Sequence, residues 1–299
     1  MDRPIISLTI CSYNQERYIE ECVRSALRQT YTPLEIVVSD DNSQDSTFLI
    51  AKKIIENYKG PHKVILNRNS TNLGIGANLS KAVSLSSGVY LVDCAGDDVF
   101  EENKVEAIYN AWLESDSKAM AIFSNATIID EYSQEQGKLF DKNPSFCHVI
   151  DDFIHDKRPI IKQMREPSVW IHGATAAYKR DLYRAFGAIP KGVLHEDGVL
   201  AFRALLMGKI VYIHEPLTRY RVHMNSISYG RNYSQVVKLQ RNEYRYLQAQ
   251  LKDAINFGAS HEIIKKLKKL LFFLYIKRFL FSLPFVGIVL VKFIKYCNK

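Results

Sequence analysis

Apolar and polar positions alternate along the first 115 residues in a pattern that predicts strands and helices in turn. The β-branched run 5–10 predicts a strand, and the apolar residues between Ile19 and Leu27 recur at the spacing of one buried helix face. The same order repeats, with strands at 34–39, 64–66 and 89–92 and helices near 48–58, 76–87 and 103–114. Strict alternation of this kind is typical of right-handed βαβ units. The sequence therefore predicts an α/β fold with a mainly parallel central sheet.

The second half of the chain gives weaker signals. Residues 119–123 predict a further strand, and the polar, irregular region 125–168 is interpreted as a variable insertion. Order returns at 173–178, followed by a helix at 196–207, a strand at 210–213 and a polar amphipathic helix at 233–257. A chain of 299 residues exceeds the usual size of one domain. We expect a main domain over 1–228, a helical extension over 229–260 and a tail over 261–299.

The tail differs from the rest of the chain in its charge. Residues 263–299 contain nine basic side chains and no acidic ones, so the net charge of +8 leaves 8 − 9 = −1 for residues 1–262. No apolar stretch in the tail reaches the ~20 residues needed to span a bilayer. A basic amphipathic segment lying on an anionic membrane surface fits this pattern, and a helix packed on the main domain is the alternative. Because the positive charge is confined to the tail, nothing indicates nucleic-acid binding.

The cysteines and the N-terminal residues indicate the compartment. The five cysteines show no Cys-x-x-Cys spacing, which favours free thiols in a reducing environment. Residues 1–4 run directly into the first predicted strand, so we expect no secretory signal. Together with the tail, these features predict a cytoplasmic protein associated peripherally with the inner face of the cell membrane.

Paired carboxylates follow two of the predicted strands. Asp97 and Asp98 come after strand 89–92, and Asp40 and Asp41 come after strand 34–39. The carboxyl ends of parallel strands share one edge of the sheet, where open α/β folds bind ligands, and carboxylate oxygens suit Mg²⁺ or Mn²⁺. The alternative interpretation is helix N-capping, since aspartate favours the turn before a helix. We expect Asp98 to be such a cap.

Further polar residues follow other predicted elements. In the loop after the first strand, Tyr13 could stack on a flat ring and Asn14 could form hydrogen bonds or only a local turn. Glu196 and Asp197 begin a predicted helix, where a carboxylate could be a general base or a cap. The segment 72–78 lacks the third glycine of a dinucleotide fingerprint and is not interpreted as one.

These residues together resemble the inverting glycosyltransferases of family 2, which have the GT-A fold. The stretches that carry the resemblance are Ser7–Asn14, Leu34–Thr47, Asn72–Lys104 and Gly173–Ser228. The resemblance implies a nucleotide-diphospho-sugar transferase fold followed by C-terminal helices, and residues 1–228 as its catalytic domain. It also implies a nucleotide-diphosphate sugar donor, with UDP as the expected nucleotide, and a glycan or lipid-linked acceptor. Together with the basic tail, it predicts surface polysaccharide biosynthesis.

The resemblance implies roles for the residues that would hold the donor. Tyr13 corresponds to the aromatic residue that packs on the nucleotide base, and Asp41 to the carboxylate that bonds the edge of that base. Arg221 falls in a C-terminal segment that typically closes over the diphosphate. The other nucleotide-binding residues that we predict are Cys11, Asn14, Asn78 and Gly96.

The resemblance also implies a metal site and a catalytic base. Asp97 corresponds to the last aspartate of the family's DxD motif, which binds Mn²⁺ or Mg²⁺, and His223 is predicted as a second ligand. Asp197 corresponds to the base that deprotonates the acceptor hydroxyl. The first aspartate of DxD is replaced by Ala95, which leaves open a catalytically impaired nucleotide-binding or scaffold protein on the same fold. The Gln-x-x-Arg-Trp motif of processive synthases is absent, which favours transfer of a single sugar.

A nucleotidyltransferase is a further alternative. Such enzymes share the α/β plan but need a glycine-rich, basic loop after the first strand. Residues 12–16 are neither glycine-rich nor basic, which disfavours this alternative.

Overall fold

A computed structural model describes residues 2–139, 172–193, 196–224, 226 and 233–282, with the side chains of 209, 233–242 and 277–282 left undescribed. The described part contains a nine-stranded sheet. Its strands are β1 (Ile6–Ser12), β2 (Leu34–Asp40), β3 (Lys63–Arg68), β4 (Tyr90–Ala95), β5 (Val99–Phe100), β6 (Ala119–Ile129), β7 (Glu135–Lys138), β8 (Ala176–Lys179) and β9 (Lys209–Arg221).

The strand order is β3-β2-β1-β4-β8-β6-β9-β5, with β7 added beside β6. The first four strands in this order are parallel, and β6 and β9 run in the same direction as they do, because β8 pairs antiparallel with both β4 and β6. Strands β5, β7 and β8 run the opposite way. The predicted α/β fold with a mainly parallel sheet and C-terminal helices is confirmed.

Eight helices are described, and they cover both faces of the sheet. They are α1 (Ile19–Leu27), α2 (Thr47–Glu56), α3 (Ile75–Leu85), α4 (Lys104–Glu114), α5 (Asp181–Phe186), α6 (Glu196–Met207), α7 (Tyr233–Phe257) and α8 (His261–Ser282). One apolar core holds side chains of α1, α2 and α4 together with one face of the central strands. A second core forms on the other face with α3, α5 and α6, and α7 and α8 pack over α6.

The structure corrects three expectations from the sequence. Region 125–168 is not entirely an insertion, since 125–129 complete β6 and 135–138 form β7; residues 140–171 lie outside the described part. The strand expected at 210–213 extends to Arg221, because its polar second half pairs with β6. Asp98 does not cap a helix: α4 begins at Lys104 after Asn103, and Asp98 is buried.

Candidate active site

The carboxyl ends of β1, β2 and β4 meet at one edge of the sheet, and the predicted loops emerge there. Cys11 of β1 lies between Ser39 of β2 and Ala95 of β4. The backbone N–H of Gly96 donates to the carbonyl oxygen of Cys11 over 3.0 Å. A Cβ at Gly96 would lie 2.9 Å from the Cβ of Ser12, so this approach of the two loops requires a glycine.

Asp97 and His223 come together at this edge although 126 residues separate them. Their Oδ2 and Nε2 atoms lie 3.0 Å apart. The side chains are 14% and 10% exposed, and the ring of Tyr18 lies 4.9 Å from the His223 ring, centroid to centroid. The pair therefore presents one carboxylate and one imidazole that are partly shielded and still reachable from solvent.

This pair is chemically suited to Mn²⁺ or Mg²⁺ bound together with a phosphorylated ligand. Carboxylate oxygen is a donor for both ions, and imidazole nitrogen is a common ligand of first-row transition metals. No group of three or more His, Cys, Asp or Glu side chains that could hold a metal occurs among the described residues. A site of two protein ligands leaves positions for phosphate oxygens and water, which is how hard divalent ions are usually held beside a diphosphate.

Arg221 supports the pair from inside the protein. It is the last residue of β9 and is 1% exposed. Its guanidinium donates to the carbonyl oxygen of Asp97 (2.8 Å) and to Oε2 of Glu21 (2.6 Å), and it also bonds Asp130 and Ser133. Its backbone N–H donates to Oδ1 of Asp98 over 2.8 Å. The structure thus places the Arg221 side chain within a protein network that fixes the backbone at Asp97.

Asp41 and Asn78 are also occupied by protein partners. The carboxylate of Asp41 is 3% exposed and accepts hydrogen bonds from the backbone N–H groups of Leu73 and Gly74, each at 2.8 Å, and from the side chain of Asn69 at 2.9 Å. Asn78 is 2% exposed, accepts a hydrogen bond from the Ser39 hydroxyl and donates to the Ser39 carbonyl. Together they anchor the 69–74 loop and the first turn of α3 against β2, beneath the exposed surface.

The loop after β1 presents an aromatic ring to solvent. Tyr13 is 44% exposed. Asn14 adopts a φ of 51°, and its side-chain oxygen accepts a hydrogen bond from the Gln44 N–H over 2.8 Å, which ties this loop to the one after β2. Cys11 lies half-buried behind the loop, and burial raises the pKa of its thiol well above the usual value. The Tyr13 ring is therefore available for stacking on a planar group.

Asp197 is a partly exposed residue in the first turn of α6. Its Oδ1 accepts a hydrogen bond from the Gly198 N–H over 2.7 Å, and the backbone of Gly173 also favours the ionised form. Burial raises the pKa of Asp197 to about 6, because desolvation outweighs these backbone interactions. Burial, followed by the charge of Asp197, raises the pKa of Glu196 well above its usual value.

Gly173 places Asp197 at the same edge as Asp97. The 3₁₀ turn Gly173–Thr175 leads into β8, which runs antiparallel to β4, so the start of β8 lies beside the end of β4. The structure therefore brings Asp97, His223 and Asp197 to the edge where Tyr13 is exposed. Sequence reasoning missed the supporting residues, which are Tyr18, Glu21 and Lys104. The only signal for them was their location beside the predicted loops.

Comparisons with known proteins identify the family and the fold. The model of the family described as "Glycosyl transferase family 2" matches residues 7–186, more than half of the chain. An uncharacterized glycosyltransferase of Rickettsia typhi is 28% identical over 225 residues, which cover 74% of this chain and 64% of that protein. The matched region thus spans less than two thirds of the length of this relative.

Two solved structures show the same fold. The 1–349 fragment of S. aureus TarS in complex with UDP-GlcNAc has a TM-score of 0.62 and 16% sequence identity, covering 89% of this chain and 71% of that one. The mannosyltransferase PcManGT from Pyrobaculum calidifontis in complex with GDP-Man and Mn²⁺ has a TM-score of 0.61 and 18% identity, covering 98% and 75%. Both similarities concern the fold alone.

Proposed function

Because the chain belongs to glycosyl transferase family 2, we propose that it transfers one sugar from a nucleotide-diphosphate sugar to a hydroxyl of a glycan or lipid-linked acceptor, with inversion at the anomeric carbon. The observation that carries the proposal is the convergence of Asp197, a partly exposed residue, and the Asp97–His223 pair on one edge of the sheet. UDP is the proposed nucleotide. The two fold neighbours are complexed with UDP-GlcNAc and GDP-Man, which belong to the same donor class.

Asp197 is proposed as the general base. A pKa of about 6 leaves the carboxylate ionised at neutral pH while keeping it more basic than an ordinary aspartate. It would take the proton of the acceptor hydroxyl as the oxygen attacks the anomeric carbon and the bond to the diphosphate breaks. A single displacement inverts that carbon, so an α-linked donor gives a β-linked product. The hydrogen bond from Gly198 fixes the direction of the carboxylate.

Asp97 and His223 are proposed to hold Mn²⁺ or Mg²⁺. When bound, the ion supplies positive charge that offsets the negative charge developing on the leaving diphosphate. Arg221 supports this part of the site by fixing the backbone of Asp97 from beneath. Tyr13, with its ring exposed beside the same edge, is proposed to stack on the nucleotide base. Ala95 stands where the family's DxD motif has its first aspartate, but Asp97 and His223 are still present to hold the ion.

The decisive experiment measures hydrolysis and transfer of UDP-sugars by the full chain, with and without Mn²⁺. We expect metal-dependent release of UDP, lost on chelation and lost in Asp97→Asn. The matched control is Asp116→Asn, the same substitution at an aspartate whose side chain is 82% exposed, which should behave as wild type. Binding of UDP without release of sugar from any nucleotide sugar would instead support the scaffold alternative and overturn the proposed activity.

Helix α8 is proposed to rest on an anionic membrane surface. Ile263 and Leu267 are buried in the core shared with α7. The outward positions carry exposed apolar side chains, namely Leu270, Phe272, Phe273, Tyr275 and Ile276. Exposed lysines at 265, 268 and 269 supply positive charge beside them. None of the helices that the structure describes is long and apolar enough to cross a membrane. Such a surface suits a peripheral enzyme that acts on a lipid-linked acceptor in surface polysaccharide synthesis.

Co-sedimentation with vesicles tests the membrane proposal. We expect the full chain to bind vesicles containing phosphatidylglycerol more strongly than neutral vesicles, and salt to weaken the binding. Changing Phe272 and Phe273 to serine should reduce binding, whereas Leu113→Ser, at an exposed leucine of α4, should not. Equal sedimentation of the double variant and wild type would contradict the assignment of this surface.

A further inference from the structure

Lys104 is a buried lysine that connects two separate parts of the site. It is the first residue of α4, and none of its surface is exposed. Its ammonium donates to the carbonyl oxygen of Ala174 over 2.9 Å and to the hydroxyl oxygen of Thr218 over 2.8 Å. The Thr218 hydroxyl in turn donates to the same carbonyl over 3.0 Å. The three groups therefore form a closed triangle of hydrogen bonds.

One corner of this triangle adjoins the turn that packs against the proposed base. Ala174 follows Gly173 in the 3₁₀ turn, and a Cβ placed on Gly173 would lie 3.7 Å from the Cβ of Asp197, which shows how closely the turn approaches the base. The Gly173 backbone also favours the ionised form of Asp197. A shift of the Ala174 carbonyl would therefore move the backbone that packs against Asp197.

Another corner leads to the proposed metal ligands. Thr218 lies in β9, three residues before Arg221, whose N–H donates to Asp98 and whose side chain fixes the backbone of Asp97. Two residues later the same segment presents His223 to Asp97. The Lys104 ammonium is also attracted electrostatically by Asp98. The buried Lys104 ammonium thus connects the turn beside Asp197 with the end of β9, which leads to the proposed metal ligand His223.

A purely structural role would not require this charge. Burying an ammonium is unfavourable unless it is paired and hydrogen-bonded, and an unbranched apolar side chain could fill similar volume. Both strong hydrogen bonds of Lys104 reach segments that support proposed functional residues. We therefore propose that Lys104 is a positioning residue for the transfer reaction, acting through the Ala174 carbonyl on Asp197 and through Thr218 on the end of β9. This inference rests on the proposed role of Asp197 as base.

The test compares Lys104→Met, Thr218→Val and Thr218→Ser in the full chain. The first removes the ammonium, the second removes only the hydroxyl, and the third keeps the hydroxyl. Two quantities are measured in each folded variant: the kcat and KM of metal-dependent UDP-sugar turnover across pH, and the titration of Asp197 followed by NMR of ¹³Cγ-labelled aspartate, with Asp197→Asn for assignment. Among the residues that the structure describes, the titratable groups that interact with Asp197 are Glu196 on α6, Tyr178 on β8 and Tyr246 on α7, and all variants keep them.

We expect Lys104→Met to lower kcat roughly ten- to hundredfold with a smaller change in the KM of the donor, because misplacement of reacting groups affects the rate more than binding. The titration midpoint of Asp197 should rise by about half a pH unit or more, since a backbone interaction that favours its ionised form is weakened. Thr218→Val should shift both quantities in the same direction by less, and Thr218→Ser should resemble wild type.

Two results would overturn the proposal. One is a folded Lys104→Met chain with kcat within twofold of wild type and an unchanged Asp197 midpoint. If Lys104→Met does not fold, the proposal is overturned when Thr218→Val and Thr218→Ser have the same kcat and the same Asp197 midpoint. A wild-type chain without turnover would refute the proposed function instead, and the NMR titration would still decide whether Lys104 and Thr218 position Asp197.

Discussion

Replacing Asp197 by asparagine should make the protein less active and more stable at the same time. Burial raises the pKa of this carboxyl from 3.8 to about 6 in the folded chain. A difference of about two pH units corresponds to about 3 kcal/mol by which the folded state disfavours the ionised form. Asparagine carries no charge and can still accept the Gly198 hydrogen bond, although its carbonyl is a poorer acceptor than a carboxylate, which costs about 1 kcal/mol. The expected net gain in unfolding free energy at pH 8 is about 2 kcal/mol.

The sign of this effect depends on pH. Because the folded-state pKa of Asp197 is raised, the protonated carboxyl favours folding fully below pH 3.8, and this contribution is lost as the pH rises through about 6. The advantage of Asp197→Asn should therefore be largest at pH 8, shrink through pH 6 and vanish near pH 4. Urea denaturation of both chains at several pH values measures it. Asp116→Asn, at an exposed side chain, should change stability by less than about 0.5 kcal/mol.

The second half of the prediction is that Asp197→Asn lowers the rate of turnover. Loss of a general base lowers the rate by about 10²- to 10⁴-fold. In the wild-type chain, kcat should fall as the pH drops below about 6, where Asp197 becomes protonated. An Asp197→Asn chain that keeps near-normal turnover, or that is less stable than wild type at pH 8, would refute the reasoning about this residue.

Two further predictions concern packing around the site and in the helical part. Gly96→Ala should lower turnover at least about tenfold and reduce the unfolding free energy by about 1–3 kcal/mol, because its methyl would lie 2.9 Å from the Cβ of Ser12. A variant with wild-type rates and a wild-type urea midpoint would contradict this prediction. Arg203→Met should reduce unfolding free energy by about 3–5 kcal/mol, since it leaves the buried carboxylate of Asp253 without its 2.8 Å partner. A urea midpoint within error of wild type for that variant would show that the pair contributes little.

The sequence alone determined the elements that have strong periodicity. The helices at 19–27, 196–207 and 233–257 begin and end where apolar spacing and breaking residues place them. β5 escaped detection because it has only two residues, and β7 because its four exposed residues, three polar ones and a glycine, carry no usable pattern. The second half of β9 escaped because it contains Pro216 and polar side chains, and its strand conformation comes from pairing with β6, about 90 residues away in the chain.

The residue types of the site could likewise be named from the sequence, but not their surroundings. Asp97 and Asp197 were indicated by their positions after a strand and before a helix, and His223 by the family resemblance. Tertiary structure brought them to one edge. Only the fold decided that Arg221 is committed to Asp97 and to Glu21, the latter 200 residues away along the chain. The same holds for Asp41, whose carboxylate is enclosed by backbone donors. Burial and hydrogen-bond partners arise from segments distant in the chain, so they are fixed by packing rather than by local pattern.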